Sequence, residues 1–317
     1  MSQKVAIVYW CDGAGHAARS IPVAKELESR GVEVSMAGGG KGQKFVEVNG
    51  FDHPGLTTVT VEGSTPIPFL KHTLFDLVPS AARRMREVYA WLEREDPDTL
   101  ITDDVFAGLA AANLGIEFYR IDHLTTDLLD PVWTVPLTVY NEISLAFAEG
   151  IIVTSLWADD PDPKGITRVG PLAQEGDQTD DVEPYDVLLN PGTHGENFGA
   201  IRRQLEADGL DVRSVTDDDW ETVPAMTPYT AAADVVVCTG FSSIADTVVA
   251  GTPCVIYPFL PFQKALAEQA ERRGIDGIAR ATSVAEAVES VRQFRASEER
   301  PKYENGAPAF ADVVLNG

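Results

Sequence analysis

The chain has 317 residues, 44% of them hydrophobic, and a formal charge of −24 from 49 acidic and 25 basic residues. Its length exceeds the roughly 250–300 residues at which a single core stops growing, so two domains are expected. A field of that sign repels nucleic acid and anionic lipid, which excludes a polyanion partner without a local basic patch. In chain order, the apolar run at 4–10 reads as a buried strand, followed by the glycine turn around Gly13 and Gly15 and a helix over 18–30 closed by Gly31. VEVSMAGGG at 32–40 is a second strand, 66–92 carries a helix packed on the sheet, and DTLITDDV at 98–105 is a strand feeding the small-residue helix FAGLAAANLGI. GIEFYRID, EGIIVTSL and GITRVGPL follow as short strands, each behind a turn signal. After Pro171 an acidic, apolar-poor stretch from Gln174 to Pro184 suits a linker. A second cycle then runs DVLLN (186–190), the turn PGTHGEN, the helix FGAIRRQLEADG, and the strands LDVRSV, ADVVVCTG and TPCVIYP. Helices over 242–250, 263–273 and 283–295 complete it before the tail ENGAPAFADVVLNG. Strands alternating with helices predict an α/β protein of two Rossmann-like, doubly wound domains facing across a cleft. The expected division is 1–170, a linker at 171–185, 186–300, and a tail at 301–317 that packs back on the first domain.

Cys11, Cys238 and Cys254 show no paired spacing and lie in or beside apolar runs. They read as buried thiols in a reducing, cytoplasmic compartment. The run of about 18 apolar residues that a spanning helix requires does not occur, and MSQKVAIVYW lacks the layout of a signal peptide. Acids are scattered, arginine outnumbers lysine, and Asp217-Asp218-Asp219 falls in an expected loop. We read this as a solvated surface adapted to a high-salt cytosol of the haloarchaeal kind, where screening shortens the reach of like charges. Metal sites are not expected from these acids.

The first glycine turn presents His16 at or near a helix start, on the carboxyl edge of the sheet, where open α/β sheets bind ligands. The helix dipole disfavours imidazolium there, which suits a general base; a turn cap is the plain alternative. Such a base needs an orienting acid, and Asp103 and Asp104 end the strand LITDD on the same edge. Asp104 is the favoured partner, against simple N-capping of the following helix by either acid. GAGHAA lacks the third glycine of a dinucleotide fingerprint because Ala18 stands there, and no Walker sequence occurs.

The second glycine turn lies within AADVVVCTGFSSIADTVVAGTPCVIYPFLPFQKALAEQAERRG, 232–274. Thr239-Gly240-Phe241-Ser242-Ser243, Asp246, Ala250-Gly251-Thr252-Pro253, the strand CVIYP and Gln263 resemble the nucleotide-sugar site of two-domain (GT-B) glycosyltransferases. The group resembled holds the bacterial peptidoglycan N-acetylglucosaminyltransferase and the plant monogalactosyldiacylglycerol synthases. GAGHAARSIPVAKELESRG, RVGPL, LLNPGTHGEN and NGAPAFADVV are similar to further parts of that family, so the likeness spans nearly the whole chain, patchily between 55 and 95.

The resemblance implies an acceptor-binding first domain with Gly15 and His16, and a donor-binding second domain. It implies an inverting, metal-independent hexosyltransferase that uses a nucleotide sugar as substrate, with no cofactor and uridine diphosphate as leaving group. Backbone amides at Gly240–Ser243 with the helix dipole would hold the diphosphate, helped by the Ser242 and Ser243 hydroxyls, with Thr193 reaching the same phosphates or the sugar and Thr239 and Phe241 in the same donor-binding set. Asp246 would accept from the ribose hydroxyls, Gln263 from or to the sugar, and the base would lie near Trp220 to Met226. Asp246 replaces the family's usual Glu, and Leu266 stands where a polar residue is common. The acceptor is open: lipid-linked, glycan or protein, and cell-envelope glycan synthesis is one compatible setting. The stretch 66–92, with Arg83, Arg84 and Arg86, suits peripheral contact with a membrane surface as in relatives that glycosylate lipids. Two other classes stand beside the transferase: a nucleotide-sugar 2-epimerase of the same fold, and a non-catalytic nucleotide-sugar-binding subunit.

Overall fold

The computed structural model describes residues 3–11, 13–52, 54–59, 78–123, 138, 141–142, 144–158, 160, 165–176, 182–192 and 197–316. Its strands form two sheets. The first runs β2 (Glu33–Ala37), β1 (Lys4–Val8), β3 (Thr99–Thr102), β4 (Glu117–Asp122), β5 (Gly150–Thr154), β6 (Ile166–Val169) across its width. The second runs β8 (Val212–Ser214), β7 (Tyr185–Asn190), β9 (Ala233–Cys238), β10 (Cys254–Ile256), β11 (Ile278–Arg280). Every pairing in both is parallel. Parallel sheets are covered by helices on both faces, so their strands are apolar throughout instead of alternating with polar residues. In β1, Val5 and Ile7 enter one core while Ala6 and Val8 enter the core on the opposite face.

Both sheets reverse strand order at their second connection, between β1 and β3 in the first and between β7 and β9 in the second. A crevice opens at the carboxyl edge of such a reversal, because neighbouring connections leave to opposite faces. Two helices leave these crevices: α1 (Gly15–Ser29) and, in the second sheet, Phe241–Val249. α1 starts three residues earlier than expected, which puts His16 inside its first turn. The left-handed φ of 89° at Gly13 lets the chain leave β1 and enter α1 this quickly. A short α2 (Gln43–Val48), α3 (Val78–Glu95) and α4 (Val105–Leu114) also flank the first sheet.

The second sheet carries α5 (Phe198–Ala207), α6 (Thr227–Ala231), α7 (Phe241–Val249), α8 (Pro261–Arg273) and α9 (Val284–Arg295). The chain then crosses back. α10 (Ala307–Asn316) buries Phe310, Ala311 and Val314 against the same core as Ile21 and Leu27 of α1. Arg30 at the end of α1 binds Asp312 at 2.5 Å and the Pro308 carbonyl at 3.0 Å. All three cysteines are buried and free. Among the described residues no helix is long and apolar enough to cross a membrane.

Candidate active site

The crevice of the first sheet holds a compact charged network. The register Val8↔Thr102 brings the segment after β1 alongside the segment after β3. Trp10 N–H donates to Asp103 Oδ1 at 2.6 Å, and Asp103 Oδ2 lies 2.6 Å from His16 Nδ1. The same oxygen accepts from Arg19, one turn further along α1. Burial works against a charge on Asp103, but His16 and Arg19, through charge and hydrogen bonds, outweigh it and hold the carboxyl far below its ordinary range. An ionised carboxylate only accepts, so the hydrogen in its bond to His16 comes from Nδ1. In the neutral ring Nε2 then carries the lone pair, and Arg19 Nη2, 3.1 Å from Nδ1, is a neighbouring donor on the same oxygen.

The partner of His16 is therefore Asp103. The expected partner, Asp104, faces the other way: its Oδ2 accepts from Arg84 Nε at 2.6 Å and its Oδ1 from Phe106 N–H at 2.8 Å, capping α4. Consecutive side chains of an extended segment point to opposite sides, so the two acids cannot share one neighbour. Arg84 is fully buried and also binds the carbonyls of Thr57 and Tyr9 at 2.9 and 3.1 Å, which removes it from any surface role. Arg83 is exposed and paired with Glu87, and Arg86 is exposed; the apolar residues 66–77 of the expected membrane-contact stretch lie outside the described residues.

In the second crevice the amides are open. α7 has Gly240 at its N-cap with no side-chain cap, and α1 likewise starts at Ala14 without one. Ser242 and Ser243 therefore do not cap their helix. Ser242 Oγ–H instead donates to the Gly15 carbonyl at 3.2 Å, joining the first turns of α7 and α1. A Cβ on Gly15 would lie 3.1 Å from that Ser242 oxygen, a tight contact that would push the hydroxyl back by a few tenths of an ångström. Thr239 borders the cleft, but its hydroxyl donates to the Pro191 carbonyl at 3.2 Å. Thr193 lies outside the described residues.

Asp246, one turn into α7, meets no cation among the described residues, and burial pushes its carboxyl up to about 8. Gln263 is buried, with Oε1 accepting from the amides of Phe259 and Leu260, both at 3.0 Å. Its Nε2 is the atom left for a ligand.

The two crevices open on one cavity of about 760 Å³, lined by Gly15, His16 and Arg19 from one side and by Phe241–Ser243, Asp246 and Gln263 from the other. Val215, Trp220, Val223 and Met226 make an apolar end, where Asn49 of the first unit also donates to the Pro224 carbonyl at 2.9 Å. Although the chain is strongly acidic, the described residues of this lining include one acid, Asp246, against Arg19, Lys41 and two histidines. Among the described residues no group of three or more His, Cys, Asp or Glu is arranged to hold a metal ion. A charge-selective cleft between two helix starts suits a phosphorylated ligand.

No protein-family model matches the chain. It is 24% identical over 310 residues to an uncharacterised glycosyltransferase of Methanosarcina mazei, with 80% of each chain covered. Its structure is similar to that of the glycosyltransferase SsfS6 of Streptomyces sp. SF2575, with a TM-score of 0.67, 18% identity and 99% of both chains covered. SsfS6 has also been solved in complex with thymidine diphosphate. Similarity extends to MurG of Acinetobacter baumannii, with a TM-score of 0.60, 14% identity, and 99% of this chain and 100% of that one covered. The chain has the GT-B glycosyltransferase fold.

Within this GT-B fold, two cleft residues were not singled out from the sequence. Arg19 lies three positions after His16, the spacing that puts both on one face of a helix. His123 follows β4 at the carboxyl edge, the same positional signal that selected His16, and Arg19 donates to its Nδ1. His123 was legible by that rule once β4 was placed beside β3.

Proposed function

We propose that this protein transfers a sugar from a nucleoside-diphosphate sugar to an acceptor hydroxyl, with inversion at the anomeric carbon. The observation that carries the reading is the pairing of His16 with Asp103 directly across the cleft from the uncapped start of α7, with Ser242 touching Gly15 between them. His16 Nε2 takes the proton as the acceptor oxygen bonds to the anomeric carbon, and Asp103 holds the imidazole and stabilises its charged form. The bond from that carbon to the diphosphate breaks, and the departing charge is met by the amides of Gly240–Ser243 and the helix end. Asp246 accepts from the ribose hydroxyls, Gln263 Nε2 donates to the sugar, and the base occupies the end formed by Trp220, Val223 and Met226. Thr193 keeps the role that the resemblance assigns it, at the phosphates or the sugar.

Uridine diphosphate is the leaving group by resemblance to the peptidoglycan and galactolipid enzymes; the thymidine diphosphate complex of SsfS6 makes the thymidine series the natural comparison. The acceptor is a lipid-linked, glycan or protein hydroxyl met on the first unit's side, in a cytoplasmic reaction at or near the membrane face. Release of nucleoside diphosphate from UDP- and TDP-hexoses, measured with and without acceptor extracts in molar salt, tests the reading. Acceptor-dependent release that persists in a chelator and disappears in His16→Ala is expected. Conversion of the donor with no acceptor present would favour the epimerase, and donor binding that never leads to turnover would favour a binding subunit.

A further inference from the structure

The cleft holds a second imidazole that the chemistry above leaves unused. Arg19 Nη1 donates to His123 Nδ1, and a guanidinium has no acceptor atom, so Nδ1 must hold the lone pair of that ring. In the neutral ring the hydrogen is then on Nε2, which finds no acceptor among the described residues. Burial first, then the charge of Arg19 and that of His16 in its protonated form, push His123 well below the usual imidazole range, with Asp103 pulling the other way. Asp122, 4.0 Å from Nδ1 at the end of β4, is the remaining charged neighbour. His123 is therefore a neutral ring with a single fixed donor, lining the cavity.

Its other neighbours define what that donor meets. The ring lies 5.5 Å from Phe241, centroid to centroid at 45°, and 6.2 Å from Phe262, nearly perpendicular at 76°. Phe241 is the first residue of the helix that opens on the diphosphate, and Phe262 precedes Gln263. The imidazole thus comes from the first unit but sits between the two donor-side elements, beside the place where a sugar follows its diphosphate. We propose that His123 contacts the transferred sugar, its Nε2–H donating to a hydroxyl oxygen of the hexose while Phe241 and Phe262 cover the sugar's C–H surface. This rests on the transferase reading and adds to it a first-unit residue that selects the sugar.

Calorimetric titration of the wild type, His123→Phe and His123→Gln with UDP and with UDP-glucose, UDP-galactose and UDP-N-acetylglucosamine tests it, with the TDP series in parallel. His123→Phe is expected to leave nucleoside-diphosphate affinity within about twofold and to lose about tenfold for the sugar nucleotide that the wild type binds tightest, the scale of one lost hydrogen bond. His123→Gln can accept from Arg19 through its oxygen and donate through its nitrogen, so it should recover most of that loss. Equal losses for diphosphate and sugar nucleotide, or none, would overturn the assignment. If His123→Phe fails to fold, nitrogen NMR of the wild-type ring decides. Nε2 should remain protonated between about pH 6 and 8 and shift with the sugar nucleotide but not with UDP. A ring that titrates in that range, or identical shifts with both ligands, overturns the assignment. A wild type that binds neither UDP nor TDP removes the transferase reading itself, and the sugar contact with it.

Discussion

The two crevices of this molecule are the same piece of topology used for opposite purposes. Each lies where strand order reverses, and each ends at the start of a helix with no side-chain cap. In the first, His16, Arg19 and Asp103 crowd the opening, and their mutual attraction holds the acid ionised despite burial. In the second, the opening is bare amide, and Asp246, with no cation beside it among the described residues, is pushed up to about 8 by burial. A crevice stocked with charge suits proton transfer, whereas one stripped of charge suits an incoming anion. Backbone topology sets the address, and the side chains at each address set the chemistry.

The comparison is broken most directly at His16. His16→Ala is expected to lower turnover by about 10²–10⁴ with nucleotide affinity nearly unchanged, the signature of a base lost from one crevice only. Steady-state rates and calorimetry on the same variant check both halves.

The neighbouring acids should then separate. Asp103→Asn can present an amide hydrogen to His16 Nδ1 and invert its tautomer, so turnover per folded molecule should fall by ~10²–10⁴, beside a loss of stability from leaving the buried Arg19 unpaired. Asp104→Asn keeps a capping side chain for α4 but leaves the buried Arg84 unpaired, which should destabilise the fold by about 3–5 kcal/mol while turnover per folded molecule persists. Denaturant unfolding and active-site-normalised rates distinguish the two, and the reverse pattern would return Asp104 to the site.

Asp246 sharpens the contrast through pH. Ribose hydroxyls donate to the ionised carboxylate, so binding favours the deprotonated form and releases a proton from a group that titrates at about 8. Affinity for UDP or TDP should therefore rise as pH climbs towards about 8 and level off above it. In Asp246→Asn the residue's share of proton release vanishes and affinity weakens about tenfold; calorimetry in buffers of different ionisation enthalpy measures this. The smallest effect belongs to Ser242→Ala, which removes the Gly15 contact between the two openings. A loss of ~0.5–1.5 kcal/mol is expected, read as a modest drop in thermal stability with the His16 chemistry intact.

Much of the address was legible in the residues themselves. Buried parallel strands demand apolar runs, which marked β1, β7 and β9, and the glycines at 13, 15 and 240 marked the turns that follow. Other features escaped because their signal is not local. Thr239 and Gln263 were read as ligand contacts from their places in a motif, yet the hydroxyl of one and the amide oxygen of the other turn back to the protein's own backbone. His123 carried the right positional signal but needed β4 to be seen as the neighbour of β3. Arg19 reads as an ordinary helix residue until the partners gathered around it are known.

By itself, the sequence determined the alternation of strand and helix, the two cycles of parallel sheet, and the placing of His16 at or near a helix start on a carboxyl edge. These follow from burial on two faces and from the steric freedom of glycine, both of which act within a few residues. Tertiary structure alone decided that Asp103 and not Asp104 meets His16, because side chains alternate along an extended segment and one position changes the side. It also decided that Ser242 touches Gly15, 227 residues away in the chain. That contact exists only because two sheets, each closed on its own core, dock with their crevices face to face.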